Sequence, residues 1–289
     1  MLTILFDGLA YGMLLFVLAV GLAVTLGLMN FINLAHGAFA MAGGYLTVVL
    51  MQRWGVPFLA CLPITFVVVG LLGAVLERTL YRPMYRKPHL DQVLFSIGLA
   101  FMAVAGVDYV MGSSQQNIQL PDMLRGRTEW GDDPWVLGMG HYRLFIMGVC
   151  VVLTLVLQWV LARTRFGSRL RASVDDPTVA SGLGIDVNRI FLLTFAVGSG
   201  LAGLGGALGA EVLSMEPSFP LKYMIYFLIV VAVGGTTTIS GPLCAALLLG
   251  VADVAGKYYV PKLGGFIVYA LMLIILLWRP SGLFVRGKS

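Results

Sequence analysis

The sequence predicts an all-α integral membrane protein of about eight or nine transmembrane helices. Three observations predict it. The chain of 289 residues is 59% hydrophobic and 11% charged, with a mean hydropathy of +0.92, far from the composition of soluble globular domains. Its apolar runs are each about 20 residues long, enough to cross a hydrocarbon core as helix. Its basic residues gather in short loops between those runs, as membrane orientation demands. The net charge of +5 therefore points to the lipid bilayer and not to nucleic acid. Cys61, Cys150 and Cys244 lie far apart in or beside apolar runs, so they read as packing residues, with neither a disulfide framework nor a metal cluster indicated. Residues 1–289 are expected to form a single transmembrane domain.

The first run reaches Leu28, lacks a basic leading segment and carries Asp7, which reads as a retained span and not a cleaved signal peptide. Further spans are expected near residues 35–51, 56–80, 92–112, 142–162, 190–213, 223–233, 242–256 and 266–278. Three segments carry the basic excess and belong in the cytoplasm: Arg78, Arg82, Arg86 and Lys87; the arginines of the loop 163–190; and Arg279, Arg286 and Lys288. The loop 113–140 sets Asp122, Glu129, Asp132 and Asp133 against Arg125 and Arg127 and belongs outside. Nine spans then place the N-terminus outside and the C-terminus inside.

Two stretches break the helical pattern in a related way, as discontinuous helices and weak internal repeats do in transporters. They are LGLMNFINLAHGAFAMAGGYL (26–46) and VAVGGTTTISGPLCAALLLG (231–250). In each, an apolar helix reaches a polar, glycine-containing corner, and a second helix leaves after a capping residue, Asn33 in one and Ser240 followed by Pro242 in the other. Irregular backbone at membrane depth is tolerated only against protein or a water-filled cavity. Both corners are thus candidate pathway walls: Asn30, Asn33, His36 and Gly37 in the first; Gly234, Gly235, Thr236, Thr237 and Ser240 in the second. Ordinary tight turns at the cytoplasmic surface are the alternative. In the span 190–213, small residues recur every fourth position at Gly198, Ala202, Gly206 and Ala210, a stripe that lets helix backbones approach closely in lipid.

The polar interruption from Arg163 to Ile190 predicts a short helix with Asp175 or Asp176 as N-cap, Pro177 in the first turn and Gly184 as the stop. Val179 and Leu183, four apart, form an apolar knob on it that requires a partner.

No motif carries chemistry. The C-terminal Gly282-Leu-Phe-Val-Arg-Gly287-Lys288-Ser289 matches a phosphate loop in letters, but a membrane span precedes it where the chemistry needs a strand. Asp132–Asp133 and Asp175–Asp176 lack a second acidic cluster to complete a cation site for a membrane-embedded enzyme. Asp7, Glu77, Asp108, Glu211 and Asp253 all fall near span ends, a weak signal for an ion-coupled secondary transporter. No catalytic residue and no cofactor are therefore expected in this chain, and energy must come from a partner.

The chain resembles the permease subunits of branched-chain amino-acid ABC importers, of the H-type. The resemblance rests on GLMNFINLAHGAFAMAGGY (27–45), ERTLYRPMYR (77–86), RASVDDPTVASGLGIDVNRI (171–190), VGGTTTISGP (233–242) and RPSGLF (279–284) and runs over nearly the whole length. It implies a multi-pass protein of the bacterial inner membrane, paired with a second permease that is a different, M-type chain. It also implies two cytoplasmic ATPases that hold the ATP and Mg, and a periplasmic binding protein that delivers the solute. The segment matching the family's coupling loop places Asp175, Asp176, Pro177, Val179, Ala180, Leu183, Gly184 and Ile185 at the ATPase contact. Ser181–Gly182 departs from the bulkier or charged residues common there. The implied cargo is a branched-chain or other hydrophobic amino acid; urea, short amides and aromatic or other carboxylic acids are the family's alternatives.

Overall fold

The structure is a computed structural model, and it describes residues 1–29, 31–130, 137–235, 238–279 and 282–283. Among these residues the chain forms α1 (Leu2–Met29), α2 (His36–Trp54), α3 (Phe58–Leu76), α4 (His89–Met111), α5 (His141–Arg163), α6 (Arg165–Asp175), α7 (Pro177–Gly182), α8 (Val187–Gly209), α9 (Phe219–Gly234), α10 (Ser240–Tyr259) and α11 (Gly264–Trp278). A π-helical turn, Glu77–Tyr81, prolongs α3, and another, Ala210–Ser214, prolongs α8.

Each of the nine expected spans coincides with one of these helices, and α6 and α7 form the polar interruption. Seven are long and apolar enough to cross a membrane. The other two are α2, whose 19 residues are rich in Gly, Ala and polar groups, and α9, whose 16 residues span about 24 Å, short of a hydrocarbon core near 30 Å. Both are largely buried among their neighbours. The apolar flanks of α4, α5 and α11, with Phe101, Met102, Val152, Leu155, Ile274 and Leu277 exposed, are what lipid would cover.

At the centre stands α8, surrounded by α1, α2 and α3. Its small-residue stripe explains the closeness: a Cβ on Gly206 would overlap the Ala40 carbonyl of α2, and one on Gly198 would press 3.2 Å from the Gly21 carbonyl of α1. Ala202 of the same helix and Ala210 of the π-helical turn that prolongs it are fully buried. Where lipid offers no hydrophobic drive between helices, contact of this kind holds a bundle together.

The loops sort to two ends. At one, Gln52 of α2 donates to the Asn117 carbonyl at 3.1 Å, Gln116 bridges Met215, and Thr3 Oγ1 accepts from the Gly138 N–H at 3.1 Å. At the other lie α6, α7, the turn 77–87 and the segment 282–283, where the Leu283 N–H donates to the Val233 carbonyl at 2.8 Å. The basic groups at 78–87 and 163–189 share this second end, as the charge pattern requires for nine alternating passes.

At the first end a short antiparallel hairpin pairs Arg127–Trp130 with Leu137–Gly140. Nothing in the sequence announces it, since neither four-residue strand alternates in polarity. Such short strands are marginal alone and are held by the bundle, through Thr3 and the start of α5.

Candidate functional site

The polar interruption is more ordered than the sequence reading expects, with two helices where one is foreseen. The Thr164 hydroxyl caps α6 by accepting from the Gly167 N–H at 3.3 Å and donates to the Val160 carbonyl at 2.6 Å, so one side chain serves both helix ends. Arg171 donates to the Leu161 carbonyl, satisfying an acceptor in the last turn of α5. The signal for α6 is in the sequence: Phe166, Leu170 and Val174 recur every fourth residue and face inward, while Arg165, Arg169 and Arg171 remain exposed.

Between α6 and α7 stands Asp176, extended, its carboxylate accepting from the N–H groups of Thr178 at 2.8 Å and Val179 at 3.0 Å. This settles the cap as Asp176, because Asp175 is the last residue of α6. Pro177 opens α7. The last helical residue is Gly182, Leu183 is the C-cap, and Gly184 is the expected stop, at φ +81°, a left-handed conformation that lets the Ile185 N–H return to the Ala180 carbonyl at 3.1 Å. Ala180 is buried against α6 and α8 while Val179 and Leu183 stand 58% and 75% exposed. The knob therefore points away from the molecule, and Asp186 ties its far side to α8 by accepting from the Arg189 N–H at 3.0 Å.

The two corners differ. After α1 the segment 31–35 runs back into the bundle, with Phe31, Asn33, Leu34 and Ala35 all buried. The Leu34 N–H donates to Ser96 Oγ at 3.1 Å, and Asn33 Oδ1 accepts from the Ala35 N–H at 3.1 Å and from the Tyr81 hydroxyl at 3.2 Å. Asn33 is therefore not the N-cap of α2; that position is Ala35, and the amide is spent on the turn before it. His36 Nε2 lies 3.0 Å from the Leu18 carbonyl, with the ring edge-on to Phe227, and Gly37 lies against Pro220. The N–H groups of Ile32, Leu34 and Ala35, Asn33 Oδ1 and His36 Nε2 are all met by protein. Asn30 lies outside the described residues.

The second corner lines a cavity of about 490 Å³ at the α6–α7 end. Thr238, Ile239 and Ser240 form one wall, Ala23 and Val24 of α1 another, and Gln158, Leu161, Gly167, Leu170 and Arg171 of α5 and α6 the rest. Ser240 is the first residue of α10 and not its cap; instead Thr238 Oγ1 accepts from the Gly241 N–H at 3.3 Å. Gly234 packs on Pro242 and Gly235 turns the chain at φ +79°. Thr236 and Thr237 lie outside the described residues, as do Asp132 and Asp133. Among the described residues, no group of three or more His, Cys, Asp and Glu side chains converges.

Sequence reasoning missed Tyr81, Gln92 and Ser96, which complete the first corner from 48 to 64 positions away. Their only signal is that they are polar or amphipathic groups in or beside apolar runs.

A bundle of this kind, with seven helices long and apolar enough to cross a membrane, defines a multi-pass membrane protein. Residues 4–276 match the family model described as branched-chain amino acid transport system, permease component, so the chain belongs to that family. The chain is 28% identical to the high-affinity branched-chain amino acid transport system permease protein BraD of Pseudomonas aeruginosa, over 98% of this chain and 95% of the relative. It is 29% identical to the probable branched-chain amino acid transport permease protein LivH of Methanocaldococcus jannaschii, over 97% and 91%. The permease protein LivM of Escherichia coli is 26% identical, over 94% of this chain but 68% of its own length. No solved structure matches the chain.

Proposed function

We propose that this chain is one of two permease subunits of an ATP-driven importer that moves branched-chain or other hydrophobic amino acids across the bacterial inner membrane into the cytoplasm. The relatives named for this transport support the cargo, and the existence of both LivH-named and LivM-named relatives supports a second, different permease chain. The basic groups around α6 and α7 support placing that end in the cytoplasm. A periplasmic binding protein delivers the solute at the opposite end, and separate ATPases hold and hydrolyse ATP.

One observation carries the coupling: α7 presents Val179 and Leu183 outward while its buried side rests on α6 and α8. A helix so placed converts ATPase closure into a rigid-body shift of α8, and α8 touches α1, α2 and α3. Asp176, Pro177, Ala180, Gly184 and Ile185 shape the lever, and Val179 and Leu183 make its contact. Ser240, with the cavity it lines, belongs to the exit side of the pathway.

The test replaces Val179 and Leu183 together by aspartate in the assembled transporter. ATP-dependent uptake and co-purification of the ATPase are lost while the melting temperature is kept, because both side chains are already in water. Unchanged uptake contradicts the coupling role, and uptake driven by an ion gradient without ATPases contradicts the ATP-driven reading altogether.

A further inference from the structure

A second cavity, of about 260 Å³, lies at the hairpin end among α1, α5, α9, α10 and the π-turn after α8. It is separate from the one lined by Ser240. Four charged side chains line it. Asp7 of α1 pairs with Arg143 of α5, and Asp253 of α10 pairs with Lys257 one turn on, Nζ to Oδ2 at 2.6 Å. Asp253 is 1% exposed and is also approached by the Tyr226 hydroxyl at 3.5 Å, while the Lys257 ammonium lies 5.8 Å above the Tyr11 ring. Between these poles lie the aliphatic side chains of Leu14, Ile146 and Leu213, with Tyr11 and Tyr223 also lining the space.

Two acids and two bases cancel, so the cavity carries no net charge and each charge has an opposite neighbour. A solute carrying one charge would break a pair: an anion that took Lys257 would strand the buried Asp253, and a cation that took Asp253 would strand Lys257. A zwitterion would not: its carboxylate takes the place of an aspartate beside Arg143 or Lys257, and its ammonium meets the aspartate released. The aliphatic side chains and the volume suit an apolar side chain between the two ends.

We propose that this cavity is a receiving subsite for a zwitterionic solute with an aliphatic side chain, in which Asp7, Arg143, Asp253 and Lys257 exchange their mutual pairs for the solute's two charges. Its role as the first station on the permease rests on the import reading above; the binding itself does not. A static clasp joining α1, α5 and α10 is the competing reading, and it needs no solute.

The experiment is saturation-transfer NMR on the purified full chain in nanodiscs, with three probes: L-leucine, 4-methylpentanoate, which lacks the ammonium, and 3-methylbutylamine, which lacks the carboxylate. Leucine receives transfer, and each singly charged probe binds at least about tenfold more weakly. Asp253→Asn combined with Lys257→Met removes one pair without leaving a lone charge, and leucine binding falls by about the same factor. Should that variant fail to fold, Val254→Phe narrows the cavity with all four charges kept, and it too weakens leucine binding. Equal binding of the three probes, no transfer to leucine, or wild-type binding in either folded variant overturns the proposal. ATP-dependent leucine uptake by the assembled transporter is measured alongside. Uptake without binding at this cavity refutes the subsite and leaves the import reading standing. Binding without ATP-dependent uptake keeps the subsite and removes its role in import.

Discussion

The corner at residues 31–35 and the corner at 238–240 share a sequence pattern but differ in what surrounds them. Each follows an apolar helix, carries asparagine or hydroxyl groups, and precedes a helix rich in small residues. In the first, Tyr81, Gln92 and Ser96 supply donors and acceptors to the irregular backbone. In the second, residues 238–240 face Gln158 of α5 and Arg171 of α6 across a cavity of about 490 Å³. The pattern thus says only that backbone is irregular at depth; whether protein or solvent satisfies it is decided by residues far away in the chain.

This difference is open to breaking by substitution. The largest effect is expected at Asn33. Replacing it by alanine leaves the Ala35 N–H and the Tyr81 hydroxyl without an acceptor inside the bundle, and at roughly 1–3 kcal/mol for each orphaned group the loss is about 3 kcal/mol. Denaturation in mixed micelles measures it, and a loss comparable to that of a surface substitution removes the strut reading of this corner.

At the second corner the same logic gives smaller numbers. Thr238→Val removes the acceptor for the Gly241 N–H, a capping contact worth about 1 kcal/mol. Ser240→Ala removes only a 3.4 Å contact at an exposed position and is expected to change stability by less than about 0.5 kcal/mol. A larger loss for Ser240→Ala than for Asn33→Ala reverses the comparison.

A further effect belongs to neither corner and serves as a control. In the loop between α8 and α9, the hydrogen bond from Lys222, 3.0 Å away, holds the Glu216 carboxyl below the usual carboxylate range. A depressed folded-state value means the contribution is full above the ordinary carboxylate pKa and is lost as pH falls through the folded one. The pair is half-exposed, so the contribution is at most about 1 kcal/mol. Lys222→Met should flatten the acid limb of the melting curve and leave the Asn33→Ala and Ser240→Ala differences unchanged, since the hydrogen bonds of neither corner involve a carboxylate.

Much of the fold was legible because a membrane chain writes its spans in composition. Nine apolar runs became nine helices, and the clustering of arginine sorted the loops to the ends where they lie. The small-residue stripe at Gly198 and Gly206 was legible for the same reason, since spacing alone brings those positions onto one face. The hydrogen-bond partners were not. Asn33 reads as a helix cap because capping is local, and Tyr81 lies 48 residues away. Helix α6 was hidden differently: arginines masked a stripe of Phe166, Leu170 and Val174 that is present but interrupted. The four charges of the outer cavity each sit near a span end, where a charge looks ordinary; only the folding of α1, α5 and α10 together makes them a group.

The most direct test of the contrast between the corners is cysteine accessibility from the α6–α7 side. In a chain with the exposed Cys244 replaced by serine, the remaining Cys61 and Cys150 are buried and give a silent background. Ala35→Cys and Ser240→Cys are then treated, in inside-out vesicles, with a membrane-impermeant maleimide. Rapid labelling of the second, with loss of uptake, and none of the first is the predicted result. Equal labelling of the two, or labelling of the first alone, would contradict the assignment of one corner to the cavity and the other to the bundle.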